Sequence, residues 1–363
     1  MRLTPSRFPL QRVLIALGVL VGVLALAPVV AGVTNAVLSD AGPRTAFASA
    51  PAGEYIVFSH AAETTDTIRV APASDPSAAT DIAQVDHLAG YTSRGAVSPD
   101  GRHLALVAAD AGTVAEPGAS LLVVALETGA VTRVATGIDY LQTPLWTPDS
   151  TGIVVVQGTD TGKISMLQVD AAGAGTTTLQ QFNAALGVYP IAYDPGSRLV
   201  TVVIDGAGST AYRDGTAVRS LGLSITRDWQ LSPDGTQLAY IEANLDDGLQ
   251  YVPRLVSLVP GLVEAQSLAP LDGQALGVAW APGAQSPLFG AEPLAVTDGS
   301  VTAQSLAGFD VPIGYSPTGQ NLLVQRWTGG SFADAGDATF EVVSESGRAA
   351  LPGATRIFGW AGR

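Results

Sequence analysis

The chain contains no cysteine. That absence removes disulfides, cysteine-ligated zinc, iron–sulfur clusters, thiol catalysis and cysteine lipidation. It does not argue against an oxidising compartment, because a large core needs no staples. Histidine is nearly absent too. His60, His87 and His103 are the only three, and none stands at i+2 or i+4 from another, so neither a metal site nor a cofactor is expected. Charge is sparse at 14% against 47% apolar residues, which excludes a disordered chain or a long solvated helix. Basic residues are the minority, 18 against 32 acidic, for a net charge of −14. Arg2, Arg7 and Arg12 precede the first acid, Asp40, so the body of the chain is more acidic still. Such a body repels phosphate backbones, and no nucleic-acid partner is expected. Catalytic signatures are also missing. Gly329–Ala333 comes nearest to a G-x-S-x-G elbow but lacks the last glycine. Gly158–Ile164 is one residue short of a phosphate loop and lacks its Ser/Thr. The acidic loops Asp246-Asp247-Gly248 and Asp334/Asp337 follow no calcium-binding pattern.

What is present begins with Val13–Val33, VLIALGVLVGVLALAPVVAGV, a run without a charge. At about 1.5 Å per residue it spans a hydrocarbon layer of about 30 Å. The three arginines before it, with no matching cluster after it, place the N-terminus in the cytoplasm and the rest outside. The expectation is a single-pass transmembrane helix in the cell membrane: residues 1–12 cytoplasmic, 13–33 the anchor, 34–53 a tether. The alternative is a signal peptide cut near Ala46-Phe47-Ala48, giving a secreted or periplasmic protein.

Beyond residue 53 the chain repeats. An apolar or aromatic residue, then Ser/Thr/Asp/Ala-Pro, a polar or glycine pair and an aliphatic run recur. The copies are Val97-Ser98-Pro99-Asp100-Gly101, Trp146-Thr147-Pro148-Asp149-Ser150, Tyr193-Asp194-Pro195-Gly196-Ser197, Leu231-Ser232-Pro233-Asp234-Gly235, Trp280-Ala281-Pro282-Gly283-Ala284 and Tyr315-Ser316-Pro317-Thr318-Gly319. Proline presets the first corner of a tight turn, and the pair after it tolerates positive φ. The runs that follow, such as LALVAA and IVVV, are strand-like. A second hairpin follows each first, for example Leu121–Leu126 and Ala130–Ala135 around Glu127-Thr128-Gly129. Four short strands in about 44 residues make a β-propeller blade. The repeat opens at Glu54-Tyr55-Ile56-Val57-Phe58, a second strand with no first. It ends at Arg356–Gly362, a first strand whose Trp360-Ala361 aligns with Trp280-Ala281. The expected fold is all-β: a seven-bladed propeller over residues 54–363, with four-stranded antiparallel blades and the two chain ends sharing one blade. The unit at 281–316 is the most irregular.

The Ser-Pro-Asp-Gly-x-x-Leu-Ala element at 98–105 and 232–239 resembles the WD40-like or PD40 repeat. That repeat occurs in the TolB propeller and in the propeller domains of prolyl-oligopeptidase-type enzymes. The resemblance implies a blade turn and no activity.

In a propeller the connections between second and third strands and those between blades share one face. Loops on a rigid scaffold are the usual place for binding. They put His60, Tyr91, Asp110, Tyr140, Asp160, Tyr189, Arg227, Asp228, Glu242 and Trp327 forward as ligand- or partner-binding candidates. Trp146, Trp280 and Trp360, at equivalent repeat positions, read as blade packing. The expected function is a protein-interaction or scaffolding module whose partner is another extracytoplasmic or membrane protein. The alternatives are a hydrolase or lyase acting at the channel mouth and a small-ligand sensor.

Overall fold

A computed structural model describes residues 47, 50–158, 162–183, 185–244, 250–259, 266–267, 275–290, 293–297, 300–303, 307–331 and 334–362. The apolar segment 13–33 and Asp160 lie outside the described residues. Among the described residues every regular element is a strand, and no helix is long and apolar enough to cross a membrane.

The strands follow the repeat. β1 (Glu54–Ala61), β2 (Thr65–Pro72) and β3 (Thr80–Asp86) form the first sheet with β28 (Arg356–Gly362). The second holds β4 (Arg94–Val97), β5 (His103–Gly112), β6 (Pro117–Ala125) and β7 (Val131–Thr136). The third holds β8 (Leu145–Trp146), β9 (Gly152–Gly158), β10 (Lys163–Asp170) and β11 (Thr176–Asn183). The fourth holds β12 (Gly187–Tyr193), β13 (Leu199–Asp205), β14 (Gly208–Arg213) and β15 (Thr216–Gly222). The fifth holds β16 (Ile225–Leu231), β17 (Gln237–Asn244), β18 (Gln250–Ser257) and β19 (Gln266–Ser267). Then come two ladders of two strands, β20 (Leu276–Ala279) with β21 (Leu288–Gly290) and β22 (Leu294–Thr297) with β23 (Ser300–Ala303). The last sheet holds β24 (Phe309–Tyr315), β25 (Leu322–Trp327), β26 (Ala338–Ser344) and β27 (Gly347–Ala350).

Among the described residues the propeller therefore has six four-stranded blades, which corrects the expected seven. Among the described residues the unit at 281–316 shows two separate ladders of two strands and no pairing of β21 with β22. Its second strand, Leu288–Gly290, is three residues long, and Pro287 stands directly before it. A proline cannot donate to a ladder, so the strand does not extend toward its N-terminus.

Second strands are buried on both faces. In β5 Leu104 through Ala109 are all buried, and in β9 so are Gly152 through Val156. Hence their aliphatic runs show no alternation. Outer strands, such as β11 with its Thr176-Thr177-Thr178, face water. The core is split into clusters between neighbouring sheets. Leu104, Leu106 and Ile68 meet between the first two blades, and Leu323, Val342, Ile56 and Phe58 meet between the last and the first. β28 pairs antiparallel with β1, from Glu54↔Gly362 to Ser59↔Arg356, so the ring closes as the two unmatched ends of the repeat implied.

The recurring turn is held by a relay of hydrogen bonds. The Ser98 hydroxyl donates to Asp100 Oδ1 at 2.5 Å and accepts from the His103 amide at 2.9 Å, while Asp100 accepts from the Arg102 amide at 3.0 Å. Ser232 repeats this with Asp234 (2.6 Å) and Gln237 (2.9 Å), and Thr147 with Asp149 (2.6 Å) and Gly152 (2.8 Å). Gly101 sits at φ 70°, and a Cβ there would stand 2.7 Å from the Gly362 amide nitrogen, so both the turn and its closeness to the clasping strand require glycine.

These aspartates titrate low. At Asp100 burial acts to raise the pKa, but the Ser98 hydroxyl and the Arg102 amide together outweigh it. At Asp149 and Asp234 the hydroxyl of Thr147 or Ser232 is the largest lowering influence. A carboxylate held below its ordinary value of 3.8 contributes stability that is complete above that value in the unfolded chain. The contribution is lost as pH falls through the lower folded value. Ser98→Ala and Ser232→Ala should each cost about 1 kcal/mol in urea denaturation at neutral pH. The loss should shrink as pH falls through the lowered folded value, because a protonated carboxyl no longer draws on the relay. A cost that does not change with pH would contradict the relay.

Candidate functional site

Antiparallel order fixes which connections share a face. Those from β1 to β2, β3 to β4, β5 to β6, β7 to β8, β11 to β12 and β15 to β16 lie together, and the Pro-containing turns lie on the opposite face.

The first two blades bring two of the aromatic candidates together on this loop face. Tyr91 meets Tyr140 edge-on, with ring centroids 5.0 Å apart. The Tyr140 hydroxyl donates to Thr92 O (2.5 Å) and accepts from Thr92 N (3.0 Å), and Tyr91 donates to Val114 O at 2.8 Å. Thus the connection leading into β8 is tied to the one leading into β4. Two arginines absent from the sequence candidates complete the group. Arg94 opens β4, and its guanidinium carbon lies 5.6 Å from the Tyr140 ring centroid. Arg356 opens β28 and donates from Nη2 to Thr92 Oγ1 at 3.1 Å. Beneath them Asp66 is fully buried and accepts from the Ser93 amide at 2.6 Å, with His87 Nε2 3.8 Å from the same oxygen.

The other candidates are distributed around the ring. Tyr189 packs on Trp229 at 4.8 Å between ring centroids, and burial pushes its hydroxyl pKa up, with the charge of Asp139 acting in the same sense. Arg227 bonds Asp228 at 2.9 Å and lies 5.7 Å from the centroid of Tyr251. Asp228 holds φ 55° where the ladder of β16 with β17 slips register. Three candidates have neighbours within their own blades. Asp110 accepts from Ser120 (2.8 Å) and Arg133 (2.6 Å), Glu242 pairs with Arg254, and Trp327 stacks on Phe309 at 6.1 Å against a buried cluster. His60 bonds Gly353 O through Nδ1 at 2.7 Å, beside the closing strand. Asp160 is outside the described residues. The tryptophan reading has its counterpart in geometry: Trp146 Nε1 donates to Ala96 O at 2.8 Å and Trp280 Nε1 to Gln230 O at 3.3 Å, each reaching the preceding innermost strand.

The loop face also carries apolar side chains that sequence reasoning did not single out. Leu141, Leu186 and Leu223 are 67%, 73% and 85% exposed, on three successive inter-blade connections. Val114 and Ile225 are exposed on the same face. On the opposite face a cleft of ≈ 590 Å³ between the second and third blades is lined by His103, Thr132, Thr151 and Asp170 among others. Among the described residues no three His, Asp or Glu side chains are grouped to hold a metal ion.

No family model matches the chain, and no curated protein does. Solved structures do. TolB from Acinetobacter baumannii superposes with a TM-score of 0.51 at 14% identity, over 86% of this chain and 67% of that one. The β-propeller domain of the Trilobed protease from Pyrococcus furiosus gives 0.53 at 13% identity, over 86% and 96%. A prolyl endopeptidase gives 0.54 at 15% identity, over 83% of this chain and 48% of that one, so the chain spans about half of that enzyme. At these identities the likeness is one of fold. The TolB-type propeller implied by the Ser-Pro-Asp-Gly element is the fold found. The Pyrococcus domain is described as having an open velcro topology; here β28 closes the first blade.

Proposed function

We propose that the propeller is a protein-interaction module, held on the outer side of a membrane by residues 13–33. The observation that carries the reading is the arc of Leu141, Leu186 and Leu223, with Val114 and Ile225, all exposed and all on one face. Scattered exposed leucines are ordinary, but a row on successive loops of one face offers a partner several apolar contacts along the same rim. Asp139 lies on the connection of Leu141 and Asp205 ends β13 at the same face, and the chain carries a net charge of −14. The complementary partner surface is apolar with basic residues around it.

A photo-crosslinking amino acid placed singly at 141, 186 and 223 tests this, with 179 on an outer strand and 259 on the turn face as controls. The full chain is expressed in membranes that are then washed at alkaline pH. The chain should stay in the pellet, and one discrete adduct should form from the three arc positions and not from the controls. Leu223→Ser should weaken the adduct formed from position 141. Release of the chain by the wash would overturn the anchor. Adducts equal at arc and control positions, or none, would overturn the docking face.

A further inference from the structure

Arg94 and Arg356 are the first residues of the innermost strands of two neighbouring blades, at the loop-face end of the channel those strands surround. Both are partly buried, and the Nε of each is buried without a hydrogen-bond partner. Neither forms an ion pair among the described residues. The carboxylate near them is that of Asp66, fully buried, with Oδ1 unpartnered. Two guanidinium groups against one carboxylate leave one positive charge uncompensated on half-buried side chains. Burying charge without compensation costs several kcal/mol, and natural sites avoid it unless something else supplies the counter-charge.

We propose that Arg94 and Arg356 form a binding site for a monoanionic carboxylate, walled by Tyr140 and Tyr91. The charge balance selects the ligand. A single carboxylate neutralises the excess, whereas a dianion would put a second negative charge beside Asp66. The parallel N–H groups of a guanidinium match a carboxylate's two oxygens. Tyr140 is fixed through both Thr92 bonds, so the aromatic wall against which Arg94 lies is set in advance. The two cations act on each other: burial lowers the Arg356 pKa and the charge of Arg94 lowers it further, against the opposite influence of Tyr140 and Asp66. The site adjoins the apolar arc, since Tyr91 bonds Val114 O and Tyr140 precedes Leu141, but its charge argument stands whether or not that arc docks a protein.

The test uses the detergent-solubilised full chain at constant chloride, with benzoate as probe and benzamide as its uncharged analogue. Benzoate should raise the melting temperature saturably and benzamide should not. Arg94→Gln and Arg356→Gln, each alone, should bind benzoate about tenfold or more weakly by calorimetry. In the absence of carboxylate, Arg94→Gln should melt no lower than the parent, because it removes like-charge repulsion; a purely structural arginine would lower it. A second arm compares an acetylated peptide bearing a free C-terminal carboxylate with its amide. Tighter binding of the free acid than of benzoate identifies a chain terminus as the source, and equal binding a small free carboxylate. Benzamide matching benzoate, undiminished benzoate binding in both variants, or no response to either carboxylate would overturn the site.

Discussion

Truncation before Arg356 is expected to leave a chain that no longer melts as one unit, and Phe358→Ala alone to cost about 3–5 kcal/mol. β28 is the innermost strand of the first blade, yet it comes from the far end of the sequence. Its side chains serve both neighbouring gaps. Phe358 and Ala361, 6% and 0% exposed, lie in the cluster with Leu104 and Leu106 of the second blade. Ile357 and Trp360 pack against the cluster that holds Leu323 and Val342 of the last blade. Thr355 locks its start, with its amide donating to Ser59 O at 2.8 Å and its hydroxyl accepting from Ala61 N at 2.9 Å. Removing the strand opens two core clusters and exposes the edge of β1, an invitation to intermolecular pairing. The truncated chain should therefore aggregate, and calorimetry should show no single cooperative transition. For Phe358→Ala the urea midpoint should fall with little change in slope. If either protein melted like the parent, the ring would not depend on its clasp.

How far this was legible depends on whether a residue's role repeats. The turn relay recurs at Ser98, Thr147 and Ser232 with the same spacing to Asp100, Asp149 and Asp234, so six copies of one short motif revealed the architecture. The clasp was legible because Trp360-Ala361 repeats Trp280-Ala281 while the repeat opens at Glu54 on a second strand. The blade count went wrong where the motif decays: Pro287 stands directly before a second strand of only three residues, Leu288–Gly290, and a count of turns does not register how many strands pair. The candidate site was the hardest to see. Arg94 and Arg356 are brought together only by ring closure, and Arg356 bonds Thr92 across 264 residues of sequence. Aligning the inner strands would have exposed a signal, since Arg94, Arg227 and Arg356 all stand three or four residues before the aromatic or aliphatic residue of the turn motif. The exposed leucines carry no such mark. In a chain that is 47% apolar, Leu223 differs from Leu221 only in which way the connection turns it.

Asp310→Ala is expected to be the most damaging single loss of a polar group, about 3–5 kcal/mol, and to release the ladder of β22 with β23. Asp310 lies on the innermost strand of the last blade and is 0% exposed. Arg348 meets it in two parallel bonds, Nη1 to Oδ2 at 2.8 Å and Nη2 to Oδ1 at 3.0 Å. Arg326 Nη1 stands 3.4 Å from Oδ1. The same carboxylate accepts from the Leu294 amide at 2.7 Å, and Arg348 returns a bond to Leu294 O at 2.7 Å. One ion pair thus holds both backbone groups of Leu294, the first residue of the ladder that β21 does not support. Removing the carboxylate leaves the Leu294 amide without its acceptor and two arginines with Glu341 as the carboxylate remaining beside Arg348. In the parent, burial acts to lower the Arg348 pKa and Asp310 and Glu341 more than offset that. The variant loses the Asp310 share, but a guanidinium keeps its charge regardless, so Arg348 cannot relieve the loss by giving up its proton. Hydrogen exchange should show Leu294–Thr297 and Ser300–Ala303 losing protection in Asp310→Ala while β25 and β26 keep theirs. The double change Asp310→Leu with Arg348→Met should recover much of the stability and little of that protection, because apolar replacement restores packing without holding Leu294. Global destabilisation with the ladder still protected would mean that Asp310 supports its own blade alone.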